Sequence, residues 1–299
     1  MMASKTLQNS GKTTTSSVSD KSKLKLGTVQ ETMLLPLWAR VRELKEKDPL
    51  IVDEAASTVA SRIDCDLDKL GNDAFSQVVM AARHAAFDEF AKRYIDLHPS
   101  STVVEMACGL STRFDRLDNG QLRWFDVDLA DAITLRKSII EEHQRRHHLA
   151  GSILNTDWIQ TIKHDPNFNG NCLIICEGVL MYFHEHQVRH ILTQFSDAFP
   201  NGVCLMDTIT PWLKLRREKG HLQLMKTFTA EFRWCPSNLQ EIEHWDNRFK
   251  VADSMLIPQR GTRAFKRLPK KEKVLEWFRS DQSKTQIGYV LLNQHASAT

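Results

Sequence analysis

The sequence predicts an α/β fold built on a mostly parallel sheet. From residue 102 onward, short apolar segments of strand length alternate with amphipathic segments of helix length, an order typical of sheets whose strands are connected by helices. The run Cys172–Cys176 is apolar throughout, as expected for a strand buried on both faces. Acidic residues directly follow several of these strands, at the end of the sheet where ligands bind in open α/β folds.

Two helices are predicted before the sheet begins. Apolar residues from Met33 to Leu44 recur with helical spacing, and Pro36 fits the first turn of this helix. A longer helix is predicted from about Asp73 to Leu97. It is expected to end there because Pro99 cannot continue the hydrogen-bond ladder.

The elements of the sheet follow in order along the chain. We expect strands at Thr102–Met106, Leu122–Val127, Asn171–Cys176 and Gly202–Met206, and helices at about Ala130–His148 and Glu185–Phe199. The alternation breaks after Asp207, where Pro211–Trp245 mixes aromatic and basic residues; we interpret residues 209–247 as an inserted helical cap. The pattern resumes with a strand at Phe249–Leu256, a helix near Lys271–Arg279 and a last strand at Thr285–Leu292.

The charge of the chain is concentrated at its N-terminus. The 299 residues carry a formal charge of +3, but residues 1–26 alone carry +4. This Ser/Thr- and Lys-rich segment is predicted to be disordered; a mitochondrial presequence is the alternative, although no arginine precedes Arg40. Residues 27–299 are then expected to form a single, nearly neutral domain, which disfavours a nucleic-acid partner.

The cysteines, the histidines and the hydropathy bear on whether the protein holds a metal, where it is located and whether it crosses a membrane. The six cysteines contain no C-x-x-C pair, and the histidines near His184 lack the spacing of a zinc helix, so we expect no metal site and a reducing, cytoplasmic location. No run of 18 apolar residues occurs, which predicts no membrane span.

A glycine turn and an acid point to a nucleoside-type ligand. Gly109 follows the first predicted strand, and Asp128 ends the second, 19 residues later. An acid about 20 residues after a glycine turn can bind a ribose hydroxyl pair. The loop alone favours an ordinary tight turn, but the acid at the end of the second strand reverses this preference and favours the nucleoside interpretation. A single glycine suits a cofactor without a pyrophosphate better than it suits NAD.

Three motifs in the sequence resemble those of one particular protein family. The runs Val104–Leu117, Trp124–Leu129 and Cys176–Tyr182 resemble the leucine carboxyl methyltransferase family, in particular its branch around the tetracenomycin polyketide O-methyltransferase. The segments Glu31–Arg40 and Phe232–Trp234 fit the same branch. The resemblance extends from about residue 28 to residue 292.

The resemblance implies a fold, a cofactor and a set of site residues. The implied fold is a Rossmann-like class I methyltransferase sheet, mostly parallel with a final antiparallel strand, and the implied cofactor is S-adenosyl-L-methionine. Its implied contacts are Arg83 with the methionine carboxylate, Glu105 and Gly109 in the glycine loop, Asp128 with the ribose and Asp126 beside it on the strand, Asp157 and Trp158 near the adenine, and Glu177 near the methionine amine. Ala107, Cys108 and Ser111 depart from the family pattern and put the cofactor affinity in question.

The implied activity is O-methylation of a small, partly apolar acceptor, either a carboxylate or a hydroxyl. We expect the cap to form the acceptor pocket; its candidate lining residues are Trp212, Leu222, Met225, Phe228, Arg233 and Trp234. The alternative is that these aromatic residues only pack the cap onto the sheet. Arg40, Arg216 or Arg233 are candidates to pair with an acidic group of the acceptor. No catalytic residue is assigned, and Tyr182, His184 and His221 are candidate bases only.

Two other functions remain open from the sequence. A nicotinamide-dependent oxidoreductase is the enzymatic alternative, which the missing loop glycines disfavour. The non-enzymatic alternative is a methyltransferase-like module that binds the cofactor without turnover, and the unusual Ala107, Cys108 and Ser111 are its support.

Overall fold

The computed structural model of the chain describes residues 30–220, 230–278 and 285–293. Within these residues, seven strands form one sheet in the order β3-β2-β1-β4-β5-β7-β6. Strands β1 to β5 are parallel to their neighbours, while β7 runs antiparallel to both β5 and β6. The predicted α/β sheet with a final antiparallel strand is therefore confirmed. The predicted disordered segment 1–26 lies outside the described residues.

The strands are β1 (Thr102–Met106), β2 (Arg123–Asp128), β3 (Arg146–Ala150), β4 (Cys172–Cys176), β5 (Val203–Thr208), β6 (Lys250–Ile257) and β7 (Thr285–Leu291). The α-helices in the described residues are α1 (Leu34–Glu43), α2 (Glu54–Arg62), α3 (Ala74–Leu97), α4 (Arg113–Leu117), α5 (Ala130–Ile139), α6 (Asp157–Lys163), α7 (Glu185–Ala198), α8 (Pro211–Glu218), α9 (Arg263–Arg267) and α10 (Lys270–Phe278).

Local signals explain where the predicted elements begin and end. The carboxylate of Asp73 accepts hydrogen bonds from the N–H groups of Phe75 and Ser76 and thereby caps α3. All five residues of β4 are buried, as their continuous apolar character predicts. The helices predicted at 33–44, 73–97 and 185–199 are confirmed to within two residues at each end.

The helix predicted over Ala130–His148 is wrong in its second half. Helix α5 ends at Ile139, and strand β3 begins at Arg146. This strand carries Arg146 and His148 toward the buried carboxylate of Asp126 on β2, at 2.8 and 3.3 Å. Polar contacts with Asp126 therefore replace the apolar side chains by which a strand is recognised in sequence.

The predicted cap is only partly helical. Pro211–Glu218 forms α8, Leu239–His244 forms a 3-10 helix, and residues 230–238 have no regular helix or strand. In that segment Ala230, Phe232 and Trp234 are buried while the residues between them are exposed, so the chain is extended with a period of two. The backbone N–H of Arg233 donates to the carbonyl of Met181 at 2.8 Å, which fixes this segment beside the turn that follows β4.

Helices cover both faces of the sheet. The apolar side of α3 packs on one face with Phe87 and Phe90, and α7 packs on the other with Ile191 and Phe195. Helices α1 and α2 form a third cluster with Leu110 and therefore support the loop that follows β1. Among the described residues, no helix combines the length and apolar character needed to cross a bilayer.

Candidate functional site

A cavity of about 530 Å³ opens at the carboxyl ends of β1, β2 and β4. Its volume lies within the range of roughly 300–1,000 Å³ that small-molecule sites occupy. One end of the cavity is polar and lies against the loop after β1, Asp128 and Glu177. The other end is apolar; its wall includes Leu35, Pro36, Phe75, Val79, Met80, Met181, Tyr182, Phe183, Ile209, Leu213 and Phe232.

The loop after β1 turns sharply under the cavity. Ala107 and Gly109 both have positive φ angles, 51° and 47°. A Cβ atom at position 109 would lie 3.0 Å from the Cβ of Met33, which covers the loop. Glycine is favoured at position 109 both by the positive φ and by this close approach, so the single glycine of the loop stands at its most crowded turn position.

Two buried arginines hold the backbone of this loop in place through hydrogen bonds. Arg136 donates to the carbonyl oxygens of Gly109 and Ser111, each at 2.8 Å. Arg40 donates to the carbonyl of Leu110 at 2.9 Å and to the Thr112 hydroxyl at 2.8 Å, and forms an ion pair with Asp53 at 3.0 Å. The loop backbone is therefore held in place before any ligand arrives.

Asp128 is the last residue of β2 and lines the cavity. Its carboxylate accepts hydrogen bonds from the N–H of Gly109 at 2.8 Å and from the N–H of Leu129 at 2.7 Å. Burial raises the pKa of this carboxyl, although the two N–H donors favour its charged form. Gly109 and Asp128, whose spacing in the sequence predicts a common ligand site, are therefore in direct contact.

Glu177, after β4, is the centre of a buried ionic network. Its carboxylate accepts from Arg83 Nε at 2.9 Å and from the guanidinium of Arg113. Arg113, only 1% exposed, also binds Glu105, and it binds Asp88 at 2.7 Å. Burial acts to raise the pKa of Glu177, but His84 and the guanidinium groups of Arg113 and Arg83 outweigh it and hold that pKa well below its usual range.

Arg83 connects this network to the end of β5. Its Nη1 lies 3.5 Å from the carboxylate of Asp207, which in turn accepts from the N–H of Gly178 at 2.7 Å. A Cβ atom at position 178 would lie 3.2 Å from the Arg83 guanidinium. Asp207 and Gly178 thus set the position of Arg83 at the boundary between the two ends of the cavity.

The buried carboxyl of Asp207 gives a pH-dependent prediction. Burial raises its pKa to about 6, above the value near 4 expected in the unfolded chain. Considered alone, this carboxyl therefore makes the folded state less stable relative to the unfolded chain as the pH rises from 4 to 7. Asp207→Asn should avoid this loss and gain about 3 kcal/mol on the wild type over that interval. Urea unfolding at several pH values measures the difference.

Asp131→Asn, at an exposed position on α5, is the control and should change the unfolding free energy by less than about 0.5 kcal/mol at every pH. A difference between wild type and Asp207→Asn that stays constant from pH 4 to pH 7 would contradict the raised pKa.

The structure brings most, but not all, of the sequence-predicted cofactor residues together. Arg83, Glu105, Gly109, Asp128 and Glu177 all line the cavity. The other predicted residues have different surroundings.

Asp126 is fully buried behind the loop, paired with Arg136 and Arg146 at 2.8 Å each, and is absent from the cavity wall. Asp157 is exposed, and Trp158 packs in the core against Phe195, with its Nε1 donating to the carbonyl of Ser152. Neither Asp157 nor Trp158 lines the cavity. The three side chains therefore face away from the space that the other five enclose.

The predicted acceptor residues that the structure describes lie outside the wall. Trp234 is a core residue, Arg233 is exposed, and Trp212 does not line the cavity. Leu222, Met225, Phe228 and His221 lie outside the described residues.

The basic candidates have other partners. Arg216 forms an ion pair with Glu272 at 3.2 Å. Arg40 lines the cavity but is engaged with the loop. His184 is exposed at the start of α7, whereas Tyr182 lies in the wall, where burial raises the pKa of its phenol.

Sequence reasoning missed two parts of the wall. The segment 151–154, directly after β3, forms part of the cavity wall. Sequence patterns do not reveal it, because they predict a helix where β3 lies. The second part is one face of α3. Residues four apart lie on the same side of a helix. The cavity is accordingly lined by two rows from this helix: Phe75, Val79 and Arg83, and next to them Ser76, Met80 and His84. The spacing of Phe75 and Val79 with Arg83 was the available signal.

A family model and two relatives match the chain over most of this region. The model of the leucine carboxyl methyltransferase family matches residues 34–196. The tetracenomycin polyketide synthesis O-methyltransferase TcmP of Streptomyces glaucescens is 29% identical over 221 residues, 74% of this chain and 80% of that protein. The S-adenosyl-L-methionine-dependent methyltransferase dpfgK of Gibberella zeae is 27% identical over 258 residues, 80% of this chain and 85% of that protein.

Solved structures share the fold. A Thermobifida fusca protein classed as a methyltransferase superposes with a TM-score of 0.52 at 13% identity, covering 86% of this chain and 93% of that one. A DUF574 family protein from Streptomyces avermitilis gives a TM-score of 0.51 at 11% identity, covering 85% and 96%.

Proposed function

The chain belongs to the leucine carboxyl methyltransferase family and is an S-adenosylmethionine-dependent methyltransferase, and on that premise we propose that it methylates an oxygen atom of a small, partly apolar acceptor. One observation carries the proposal: a single cavity has a charged end and an apolar end, with Arg83 between them. A charged cofactor and an apolar acceptor can therefore meet inside one cavity.

The residues at the charged end fit the cofactor. S-adenosylmethionine carries a carboxylate, an ammonium, a ribose diol and an adenine ring. We assign Arg83 to the carboxylate, Glu177 to the ammonium and Asp128 to the ribose hydroxyls, because charge-assisted hydrogen bonds match these pairs. We assign residues 151–154, which line the cavity, to the adenine, a role that the family resemblance gave to Asp157 and Trp158.

The apolar end fits an acceptor with a hydrophobic body. Phe75, Val79, Ile209, Leu213 and Phe232 contribute aliphatic and aromatic surface, and burial of such surface contributes roughly 25 cal/mol per Å². The name of TcmP, a polyketide synthesis O-methyltransferase, supports an acceptor of this kind. The near-neutral charge of residues 27–299 favours a small molecule over a nucleic acid.

The protein's contribution to the reaction is alignment and exclusion of water. The cofactor supplies an electrophilic methyl group on a sulfonium. The rigid loop after β1 and the Arg83–Glu177 pair fix one reactant, while the apolar wall fixes the other. Positioning of this kind contributes up to roughly 7–11 kcal/mol in favourable models. The cavity wall also keeps water away from the reacting atoms.

We further propose that residues 27–299 act as one catalytic domain, in which the segment after β5 covers the acceptor end. Phe232 and Leu213, both from this segment, lie in the wall and support that role. A cytoplasmic location is supported by the six cysteines, all of which are free thiols.

Transfer of a labelled methyl group tests the proposed reaction. Purified enzyme and S-adenosyl-[methyl-³H]methionine are incubated with small aromatic carboxylic acids, phenols, amines and thiols. The proposal predicts label in methyl esters or methyl ethers. Label found only on nitrogen or sulfur, or no transfer to any of these acceptors, would contradict it.

A further inference from the structure

Asp207, near the end of β5, is a buried acid that lies one side chain away from the cofactor end of the cavity. Its side chain is fully buried and does not line the cavity. One of its carboxylate oxygens lies 3.5 Å from Nη1 of Arg83, and the other accepts from the N–H of Gly178 at 2.7 Å. Arg83, whose side chain is 17% exposed, does line the cavity. Asp207 therefore acts on a ligand through Arg83 and not by contact.

Two carboxylates of the protein already face the guanidinium of Arg83. Glu177 lies 2.9 Å from its Nε, and Asp207 lies 3.5 Å from its Nη1. The methionine carboxylate of the cofactor, which we assign to the same guanidinium, is a third. Negative groups that share one cation raise one another's proton affinity. We therefore expect one of the three groups to take up a proton when the cofactor binds.

Asp207 is the group whose charged form is stabilised least. Glu177 also accepts from the guanidinium of Arg113 and lies 2.8 Å from Nδ1 of His84, which together with Arg83 hold its pKa well below the usual range. Asp207 has one cationic partner among the described residues, and that partner is Arg83. Burial raises the pKa of Asp207 to about 6. A modest additional repulsion is then enough to protonate this carboxyl near neutral pH.

The other titratable groups around Asp207 keep their protonation states between pH 5.5 and pH 7.5. Arg83 on α3 and Glu177 after β4 stay charged, because their partners outweigh the effect of burial and move each pKa away from this range. The thiol of Cys176 on β4 and the phenol of Tyr182 stay neutral, because burial raises the pKa of each. The β7 residue in register with Asp207 is an isoleucine, which does not titrate.

We propose that binding of the cofactor is coupled to uptake of one proton by Asp207, which in its neutral form leaves Arg83 to the methionine carboxylate. This inference rests on the proposed function, because it needs that carboxylate at Arg83. The proton comes from solvent and adds to a carboxylate oxygen of Asp207, and no bond of the cofactor changes. The N–H of Gly178 holds the carboxyl in place in both forms. Asp207 is then a positioning residue that holds Arg83 when charged and releases it when neutral.

The pH dependence of cofactor affinity tests this coupling on the wild-type protein. S-adenosylhomocysteine, which carries the same carboxylate, is titrated by calorimetry at pH 5.5, 6.5 and 7.5. Charged Asp207 repels the ligand carboxylate, so affinity should rise as the pH falls. We expect Kd to be about fivefold lower at pH 5.5 than at pH 7.5, if the ligand raises the proton affinity of Asp207 roughly tenfold. Titrations in two buffers of different ionisation enthalpy should then show uptake of about half a proton at pH 6.5.

5′-Methylthioadenosine is the matched control ligand. It keeps the adenosine and the sulfur but lacks the amino-acid part, so it places no charge at Arg83. Its Kd should not fall between pH 7.5 and pH 5.5, and it should take up less than about 0.1 proton at pH 6.5. Any titration of Asp128, which we assign to the ribose, affects both ligands alike. An equal fall of Kd for the two ligands overturns the inference.

Asp207→Asn is neutral at every pH and can keep the hydrogen bond to Gly178 through its amide oxygen. The inference predicts that this variant binds S-adenosylhomocysteine at least about threefold tighter than the wild type at pH 7.5, with a Kd that varies less than about twofold down to pH 5.5. Asp131→Asn, exposed on α5, is the control variant and should keep the wild-type pH dependence. Binding by Asp207→Asn that is weaker at every pH, or that keeps the wild-type pH dependence, indicates a merely structural role and overturns the inference.

The outcomes separate this inference from the proposed function. Wild-type protein that binds S-adenosylhomocysteine with the same Kd at all three pH values and without proton uptake overturns the inference and leaves the proposed function intact. Folded wild-type protein that does not bind S-adenosylhomocysteine refutes the proposed function, and the inference with it. The comparison of the two ligands needs no variant, so it decides the question even where Asp207→Asn fails to fold.

Discussion

Replacement of Arg113 by methionine is expected to lower the free energy of unfolding by about 3–5 kcal/mol. Arg113 is 1% exposed, and its guanidinium binds the carboxylates of Asp88, Glu105 and Glu177. These carboxylates neighbour Arg113 from α3, β1 and the end of β4, so one side chain joins three elements. Methionine would fill the space but leave buried negative charges without their partner.

Urea unfolding measures this effect. The matched control is Arg189→Met, which removes the ion pair with Glu185 on α7, where both side chains are about half exposed. Pairs of that kind contribute about 0–1 kcal/mol. A loss of less than about 1 kcal/mol for Arg113→Met would show that the network is not needed for folding.

Loss of the Asp128 carboxylate is expected to weaken cofactor binding by at least tenfold. Hydrogen bonds to a charged group contribute about 1.5–3 kcal/mol, which corresponds to a factor of roughly 10 to 150 in affinity. Asp128→Ala also removes the acceptor for the N–H groups of Gly109 and Leu129. The variant must therefore be shown by circular dichroism to be folded before its affinity is compared.

Titration calorimetry with S-adenosylhomocysteine gives the affinities. Asp157→Ala removes the same charge at a position that is exposed and away from the cavity wall, and we expect it to bind within twofold of the wild type. Normal binding by Asp128→Ala would make the ribose assignment wrong. A large loss of affinity with Asp157→Ala would instead support the contact between Asp157 and the adenine that the family resemblance implies.

Sequence reasoning succeeded where burial follows hydrophobic pattern. Strand β4 and helix α7 were predicted because their apolar residues are continuous or fall on one stripe. Strand β3 was missed because Arg146 and His148 are buried through polar contacts with Asp126, which depend on a neighbouring strand. The extended segment around Phe232 was taken as helical cap, since its pairing with the Met181 carbonyl is a tertiary contact.

The same distinction applies to the site. Gly109 and Asp128 were predictable because spacing along the chain encodes a contact between adjacent strands. The function of Arg40 was not predictable: its partners Leu110 and Thr112 lie about 70 residues away. The contact between His84 and Glu177 was not predictable either, because Glu177 follows β4 and lies far along the chain.

The central claim is that this cavity binds S-adenosylmethionine, and calorimetric titration of the wild-type protein with S-adenosylhomocysteine tests it most directly. The account predicts one site per chain with a Kd in the micromolar range or tighter, about −8 kcal/mol or more favourable, and no heat on titration with NADH. Folded protein that gives no heat with S-adenosylhomocysteine, or that binds NADH instead, would contradict it.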